Sequence, residues 1–225
     1  MGIIDLLFPK SCLGCGSDGT YVCGECIEKM PKLKQICVGC GKPSIDGVTH
    51  IRCVKPQRMS GLVHLWPYGG VVRKAILGLK YKYATEIAKE LSSNITSEVK
   101  SNRVALPKKA TLVPIPLHKK RKNWRGFNQV EEIGKLVSEA VGWEFVPDML
   151  VRRELRTPQT ELKREQRKKN IKGAFALNPI YDIHNTKYDI ILFDDVYTTG
   201  STLKEAAKVL RRNGSGEVFG LTIAR

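Results

Sequence analysis

No stretch of the 225 residues approaches the roughly 18 consecutive apolar side chains needed to span a bilayer, so no membrane anchor is expected. The first residues, MGIIDLLFPK, lack the basic n-region and the long apolar core of a signal peptide. They also lack a myristoylation pattern, because Leu6 stands where serine or threonine is required. A cytoplasmic protein is therefore expected. Cysteine is absent beyond Cys53, and all seven cysteines lie before residue 54, mostly in CxxC pairs. In a cytosolic chain this clustering speaks against a disulfide framework and for metal. Acidic residues are few, 22 against 38 lysines and arginines, for a formal charge of +16. That imbalance says little about fold but favours polyanionic partners, nucleic acids or phosphorylated small molecules. A hydrophobic fraction of 42% excludes disorder as the default state.

The cysteine-rich part contains an internal repeat. CLGCG begins at Cys12 and is closed by Cys23 and Cys26; CVGCG begins at Cys37 and is closed by His50 and Cys53. Each half is a CxxCG knuckle followed by a second ligand pair, the layout of a zinc ribbon. The expected sites are Cys12, Cys15, Cys23 and Cys26 for one ion, and Cys37, Cys40, His50 and Cys53 for another. Four soft ligands in a closed set suit structural zinc. A redox CxxC is disfavoured, since such motifs normally open a helix of a thioredoxin-like unit. Residues 1–58 are read as a double zinc-ribbon module whose stability the metal supplies.

Residues 59–225 read as a second unit of alternating helices and strands. Val71, Val72, Ala75, Ile76 and Leu79 have helical spacing, as do Ile87, Leu91, Ile95 and Val99, and Val130, Ile133, Val137 and Val141. TLVPI (Thr111 to Ile115) and the nearly all-apolar Asp189 to Phe193 predict buried strands of a parallel sheet. Leu203, Ala206, Ala207 and Leu210 predict a helix ending at Asn213-Gly214, and Val218 to Ile223 a last strand. The expected class is α/β with an open parallel sheet.

Three segments carry candidate chemistry. After the strand IILF come Asp194 and Asp195, then Thr198, Thr199, Gly200, Ser201 and Thr202 at the start of a helix. Ligands of open α/β sheets bind beyond the strand ends, and a helix N-terminus favours phosphate. The two carboxylates are suited to ribose hydroxyls and to orienting Mg²⁺. Helix capping alone needs one hydroxyl residue, not four around a glycine. The segment resembles the phosphoribosyl pyrophosphate loop of type I phosphoribosyltransferases. The second segment holds Lys119, Lys120, Arg121, Lys122 and Arg125 with no acid among them, read as a pyrophosphate or DNA contact in preference to a solvated loop. Trp124 within it is placed either to stack on a base or to pack against the zinc module. The third runs from Leu150 to Phe175 and has eight basic and three acidic residues between Arg152 and Lys169. It is read as a basic flap, represented by Arg152, Arg153, Arg164 and Arg167, with a solvated surface helix as the competing reading.

The CxxC pairs, VPIP (Val113 to Pro116) with RGFNQ (Arg125 to Gln129), and FDDVYTTGST together resemble the competence protein F (ComF) family. Arg153, Thr157, Gln159, Leu162, Arg167, Asn170, Gly173 and Phe175 match that family's spaced pattern, and the resemblance covers nearly the whole chain. His50 departs from it, standing where cysteine is usual. The resemblance implies a phosphoribosyltransferase-like domain behind a double zinc ribbon. It also implies a role in natural transformation, the handling of incoming single-stranded DNA, and a helicase-like competence ATPase as partner.

Three functions follow from different classes. The first is single-stranded DNA handling; seven thiolates and two Zn²⁺ remove three charges and still leave about +13. The second is an active phosphoribosyltransferase, in which Asp194 and Asp195 hold ribose and metal, but no base-reading segment names an acceptor. The third is a zinc-ribbon docking module on an α/β scaffold. The first is preferred, with binding of phosphoribosyl pyrophosphate retained.

Overall fold

The computed structural model describes residues 10–79, 84–101, 105–117, 128–153, 171–184 and 189–225. A short helix, α1 (Gly24–Glu28), lies in the cysteine-rich part. It is followed by β1 (Gly61–Trp66), α2 (Gly70–Gly78), α3 (Ala84–Lys100), β2 (Ala110–Pro114), α4 (Gln129–Val141) and β3 (Glu144–Phe145). Then come β4 (Leu150–Arg152), β5 (Phe175–Leu177), β6 (Asp189–Val196), α5 (Ser201–Arg212) and β7 (Val218–Ala224). The main sheet has the order β1-β7-β6-β2-β3, with every neighbouring pair parallel. β4 and β5 form a separate antiparallel hairpin.

The periodicities read from the sequence reappear as buried faces. Val71, Val72, Ala75 and Ile76 line the inner side of α2, Ile87, Leu91, Ile95 and Val99 that of α3, and Leu203, Ala206, Ala207 and Leu210 that of α5. In β6 the run Ile190–Phe193 is fully buried because helices cover both faces of the sheet. Each such side chain contributes roughly 1.5–3 kcal/mol of burial free energy. α5 ends at Asn213, followed by Gly214 at φ 87°, the expected stop. Four strands escape the sequence reading. GLVHLW (β1) is interrupted by a histidine, β3 has two residues, and β4 meets β5 across a long segment.

The cysteine-rich part is built into both apolar layers. Cys12, Tyr21, Val22 and Ile27 share a cluster with Val63, Val71 and Ile76 on the α2–α3–α4 side of the sheet. Val38 belongs to the opposite layer, with Met59, Leu62 and Leu203 on the α5 side. The Glu90 carboxylate on α3 accepts hydrogen bonds from the N–H groups of Tyr21 and Val22, both at 2.7 Å, and from Thr20 Oγ1 at 2.8 Å. β1 is one of the two edge strands, and the same part of the chain covers it. Gln35 Nε2 donates to His64 O (2.8 Å), His64 N donates to Gln35 Oε1 (2.9 Å), and Val48 makes an antiparallel bridge to Gly61. An edge that would otherwise offer unpaired backbone groups is thereby closed.

Candidate functional site

The two inner strands β2 and β6 are neighbours, but their following connections diverge. From β2 the chain goes outward through α4 to β3, and from β6 it goes the other way through α5 to β7. This is a topological switch point, where a crevice opens beyond the carboxyl ends of the strands. The segment 197–200 leaves β6 on one side of it, and the segment after Pro114 leaves β2 on the other. Asn128, within RGFNQ, is buried and has a structural task. Its side chain accepts from Val130 N to cap α4, and its Nδ2 donates to Ile115 O, tying the helix start to the end of β2. Residues 118–127, with Lys119, Lys120, Arg121, Lys122, Trp124 and Arg125, lie outside the described residues, as do Arg164 and Arg167.

On the β6 side the backbone is tightly organised. Asp195 N donates to Asp194 Oδ1 at 2.9 Å and Val196 N to Asp195 Oδ1 at 2.6 Å. Burial, and next the Asp195 charge, push the Asp194 carboxyl well above the usual carboxylate range; the Asp195 N–H and the Arg152 charge oppose this. Asp194 and Asp195 are both half-buried. Asp194 thus carries a proton more easily than an ordinary carboxylate. Gly200, the N-cap of α5 at φ 69°, has no side chain to cap the helix, and Ser201 N donates to Thr199 Oγ1 at 3.4 Å. Thr199 Oγ1 and Ser201 Oγ lie 2.8 Å apart, while Thr198 is exposed and Thr202 half-buried. A helix start with a glycine at its N-cap, flanked by hydroxyls, is suited to an anion.

Gly200 cannot be replaced cheaply. Its φ is in the left-handed region, and an added Cβ would collide with the Tyr197 ring. Gly200→Ala is expected to displace Tyr197 and to cost about 1–3 kcal/mol, visible as a lower melting temperature. An unchanged melting curve would show that the loop relaxes freely.

Of the basic segment read as a flap, Arg152 and Arg153 are among the described residues. Arg152 and Arg153 sit at the end of β4 and just beyond it, where β4 pairs with β5, and the Arg152 guanidinium lies 5.4 Å from the centre of the Phe175 ring. Through its charge on Asp194, Arg152 reaches the acid pair; Arg153 is exposed.

Both ligand sets are assembled, with the ligand atoms of each within 4.8 Å of one another. In the first, Cys12 Sγ lies 3.5 Å from Cys23 Sγ and 3.8 Å from Cys26 Sγ. A tetrahedron with Zn–S of 2.3 Å has edges of about 3.8 Å. In the second, Cys40 Sγ and His50 Nδ1 are 3.4 Å apart, near the about 3.6 Å of a zinc-centred S–N edge. His50 Nε2 lies 3.0 Å from Pro43 O, a partner that accepts the Nε2 proton and leaves the Nδ1 lone pair for metal. Gly16 (φ 80°) and Gly41 (φ 72°) make the left-handed knuckle turns expected after each second cysteine. Gly14 N donates to Cys12 Sγ and His50 N to Cys37 Sγ, both at 3.4 Å. Clustering pushes the Cys26 thiol up to about 12, Cys23 being the largest cause, a conflict that a divalent cation relieves. Both sets fit closed, structural zinc.

Residues 3–54 match the double zinc ribbon domain family. The DNA utilization protein YhgH of Escherichia coli (strain K12) is 31% identical over 206 residues, covering 88% of this chain and 87% of that protein. Competence protein ComFC of Bacillus subtilis (strain 168) is 31% identical over 219 residues, covering 91% of this chain and 84% of its own. The chain belongs to the ComF family. Competence protein F of Haemophilus influenzae is 26% identical over 211 residues, covering 90% of this chain and 84% of the relative. Among solved structures, a hypoxanthine phosphoribosyltransferase from Staphylococcus aureus aligns over 61% of this chain and 62% of its own, at 12% identity and a TM-score of 0.35.

One residue of this ComF chain that the motifs do not reveal stands behind the loop. His64 on β1 is fully buried, its Nδ1 lies 2.8 Å from Thr222 Oγ1, and its ring packs on Tyr197 with centroids 4.6 Å apart. Nε2 has no partner among the described residues. Burial, helped by the Arg225 charge, lowers the imidazole to about 3, so it stays neutral. His64 therefore supports Tyr197, which in turn packs against Gly200. A lone histidine in an apolar run carries no such signal, because the contact spans β1, β7 and the loop after β6.

Proposed function

We propose that this ComF-family protein handles single-stranded DNA in natural transformation, with a phosphate group of its ligand received at the start of α5. The observation that carries this reading is the α5 N-terminus, with a glycine at its N-cap and the hydroxyls of Thr199 and Ser201 beside it, at the switch point of a chain with a charge of +16. The names of the relatives, a DNA utilization protein and two competence proteins, support it. No helix among the described residues is long and apolar enough to cross a membrane, and the reading places the protein on the cytoplasmic side, beside a helicase-like competence ATPase. Phosphoribosyl pyrophosphate is the small ligand for the same loop. Asp194 and Asp195 would hold its ribose hydroxyls and Mg²⁺, and the basic residues 119–125, together with the flap at Arg152, Arg153, Arg164 and Arg167, its pyrophosphate.

A second reading, transfer of the phosphoribosyl group to a nitrogen acceptor, draws on the raised Asp194 carboxyl beside Asp195. Positioning and charge stabilisation are what these residues offer such a step. Titration of the zinc-loaded protein with single-stranded DNA, with and without phosphoribosyl pyrophosphate and Mg²⁺, tests both readings. Affinity for DNA is expected to fall steeply with salt and to depend little on sequence. Phosphoribosyl pyrophosphate is expected to compete, and Asp195→Ala to weaken its binding by roughly tenfold or more, as loss of a charge-assisted contact does. Salt-insensitive DNA binding would sink the first reading. An Asp195→Ala variant that binds phosphoribosyl pyrophosphate normally would sink the assigned site.

A further inference from the structure

A cavity of about 760 Å³ adjoins the loop on the side away from the acid pair. Thr199 and Ser201 form part of its lining; Asp194 and Asp195 do not. The rest comes from four parts of the chain. α5 contributes Lys204, Glu205 and Lys208, the residues 55–59 contribute Lys55 and Arg58, and Lys172 precedes β5. Val38 and Gly39, the turn of the second zinc knuckle, complete it.

This arrangement is built. Arg211 Nε donates to Pro56 O at 2.9 Å and Arg212 Nε to Gln57 Oε1 at 3.3 Å, which pins the connecting segment beside α5. Arg58 Nη1 donates to Cys53 O at 3.3 Å, which ties the same segment to the zinc knuckle. The one acid in the lining, Glu205, accepts a hydrogen bond from Gly173 N at 2.7 Å. Five cationic side chains therefore share one cavity with a single, already engaged carboxylate. Pro56, Met59 and Ile171 add apolar surface between them.

We infer that this cavity is a groove for single-stranded polynucleotide, continuous with the phosphate loop, so that the loop receives an internal phosphodiester and not only a terminal phosphate. The inference rests on the DNA-handling reading above and specifies where the strand runs. A site made solely for a phosphosugar needs nothing beyond its 5′-phosphate, because the molecule ends there. Here the outer side of the phosphate position opens into a cationic cleft. Ser201 and Lys208 are two helical turns apart, ~10 Å along the axis, farther than one phosphate extends. The sugar on one side of the bound phosphate faces Asp194 and Asp195. The nucleotides on its 5′ side enter the cleft and run along α5 toward the second zinc knuckle. The second zinc ribbon then forms a wall of the groove as well as closing the sheet edge.

The test compares wild type with the triple variant Lys55→Glu, Lys172→Glu, Lys208→Glu, and with its glutamine counterpart, as zinc-loaded full chains. Binding of a single-stranded oligonucleotide is followed across salt concentrations, with zinc content and melting temperature checked for each protein. Three lost phosphate contacts should lower the log–log salt slope by ~2 and weaken binding by about tenfold or more at low salt. Binding of phosphoribosyl pyrophosphate should not change. Wild type without salt-dependent DNA binding would overturn the underlying reading. Wild type that binds, with both variants equally tight, would overturn the groove alone. Photo-cross-linking of a halogenated oligonucleotide to the wild-type protein needs no variant. Adducts within residues 55–59, or on α5, are expected; adducts confined to other segments, or equal labelling by duplex, would overturn the groove.

Discussion

Cys12→Ser is expected to remove zinc from the first ribbon and to unfold much of the protein near physiological temperature. Apparent zinc contributions to small ribbon-like peptides are about 10–16 kcal/mol, comparable to the ~5–15 kcal/mol that holds a whole domain together. Here the loss is not confined to the ribbon. Cys12 is buried in the layer that contains Tyr21, Val22 and Ile27 from the ribbon and Val63, Val71 and Ile76 from the sheet and its helix. Tyr21 and Val22 present the backbone N–H groups that satisfy Glu90. A ribbon that opens leaves a half-buried carboxylate without donors and exposes the flank of α2 and α3. Metal analysis should show one zinc per chain in place of two, with a melting temperature lower by many degrees. His50→Ala should also lose one zinc, whereas His50→Cys should keep both, since either residue supplies a suitable ligand. A Cys12→Ser protein with unchanged melting would show that the shared layer does not depend on the ion.

The second large effect expected is a pH dependence centred on His64. Its imidazole is lowered to about 3 by burial and by the Arg225 charge, against an ordinary 6.5. The folded state therefore binds fewer protons than the unfolded state between these two values. Stability from this residue is fully present above pH ~6.5 and is lost as pH falls toward 3, at about 1.4 kcal/mol per unit. Replacing it with glutamine, His64→Gln, leaves a side chain able to reach Thr222 but without a titration in this range. Urea unfolding of both proteins between pH 7 and 5, compared by difference, cancels the acid sensitivity of the zinc ligands. The difference should narrow as pH falls, because only the wild type loses the His64 contribution. Parallel profiles would refute a neutral, buried His64. Because the ring packs on Tyr197, which lies against Gly200, the same protonation is expected to loosen the loop.

Much of this was legible in the chain because the relevant chemistry is local. The CxxCG knuckles place ligands, turn glycine and N–H···S donors within a few residues, so spacing alone identified both zinc sets down to His50. The run from Ile190 to Thr202 contains its own strand, acids, left-handed glycine and helix start. Helices α2, α3, α4 and α5 announced themselves by their apolar stripes. Less legible were β1, where His64 breaks the apolar pattern, and the β4–β5 hairpin, whose partners are Arg152 and Phe175. Strand pairing across such a separation leaves no periodic trace.

The sequence by itself determined the zinc ligands, the open parallel α/β class and the order of strand, acid pair, glycine and helix start after Ile190, since each depends on neighbours along the chain. The tertiary structure alone decided that the two ribbons divide between opposite faces of the sheet, with Gln35 closing the β1 edge. It alone brought His64 behind Tyr197, and Lys55, Arg58, Lys172, Lys204 and Lys208 around one cavity. These residues come from separate segments, and no local spacing rule connects them. Their meeting is fixed by the crossover from β6 through α5 to β7 and by the hydrogen bonds that hold the connecting segment beside α5.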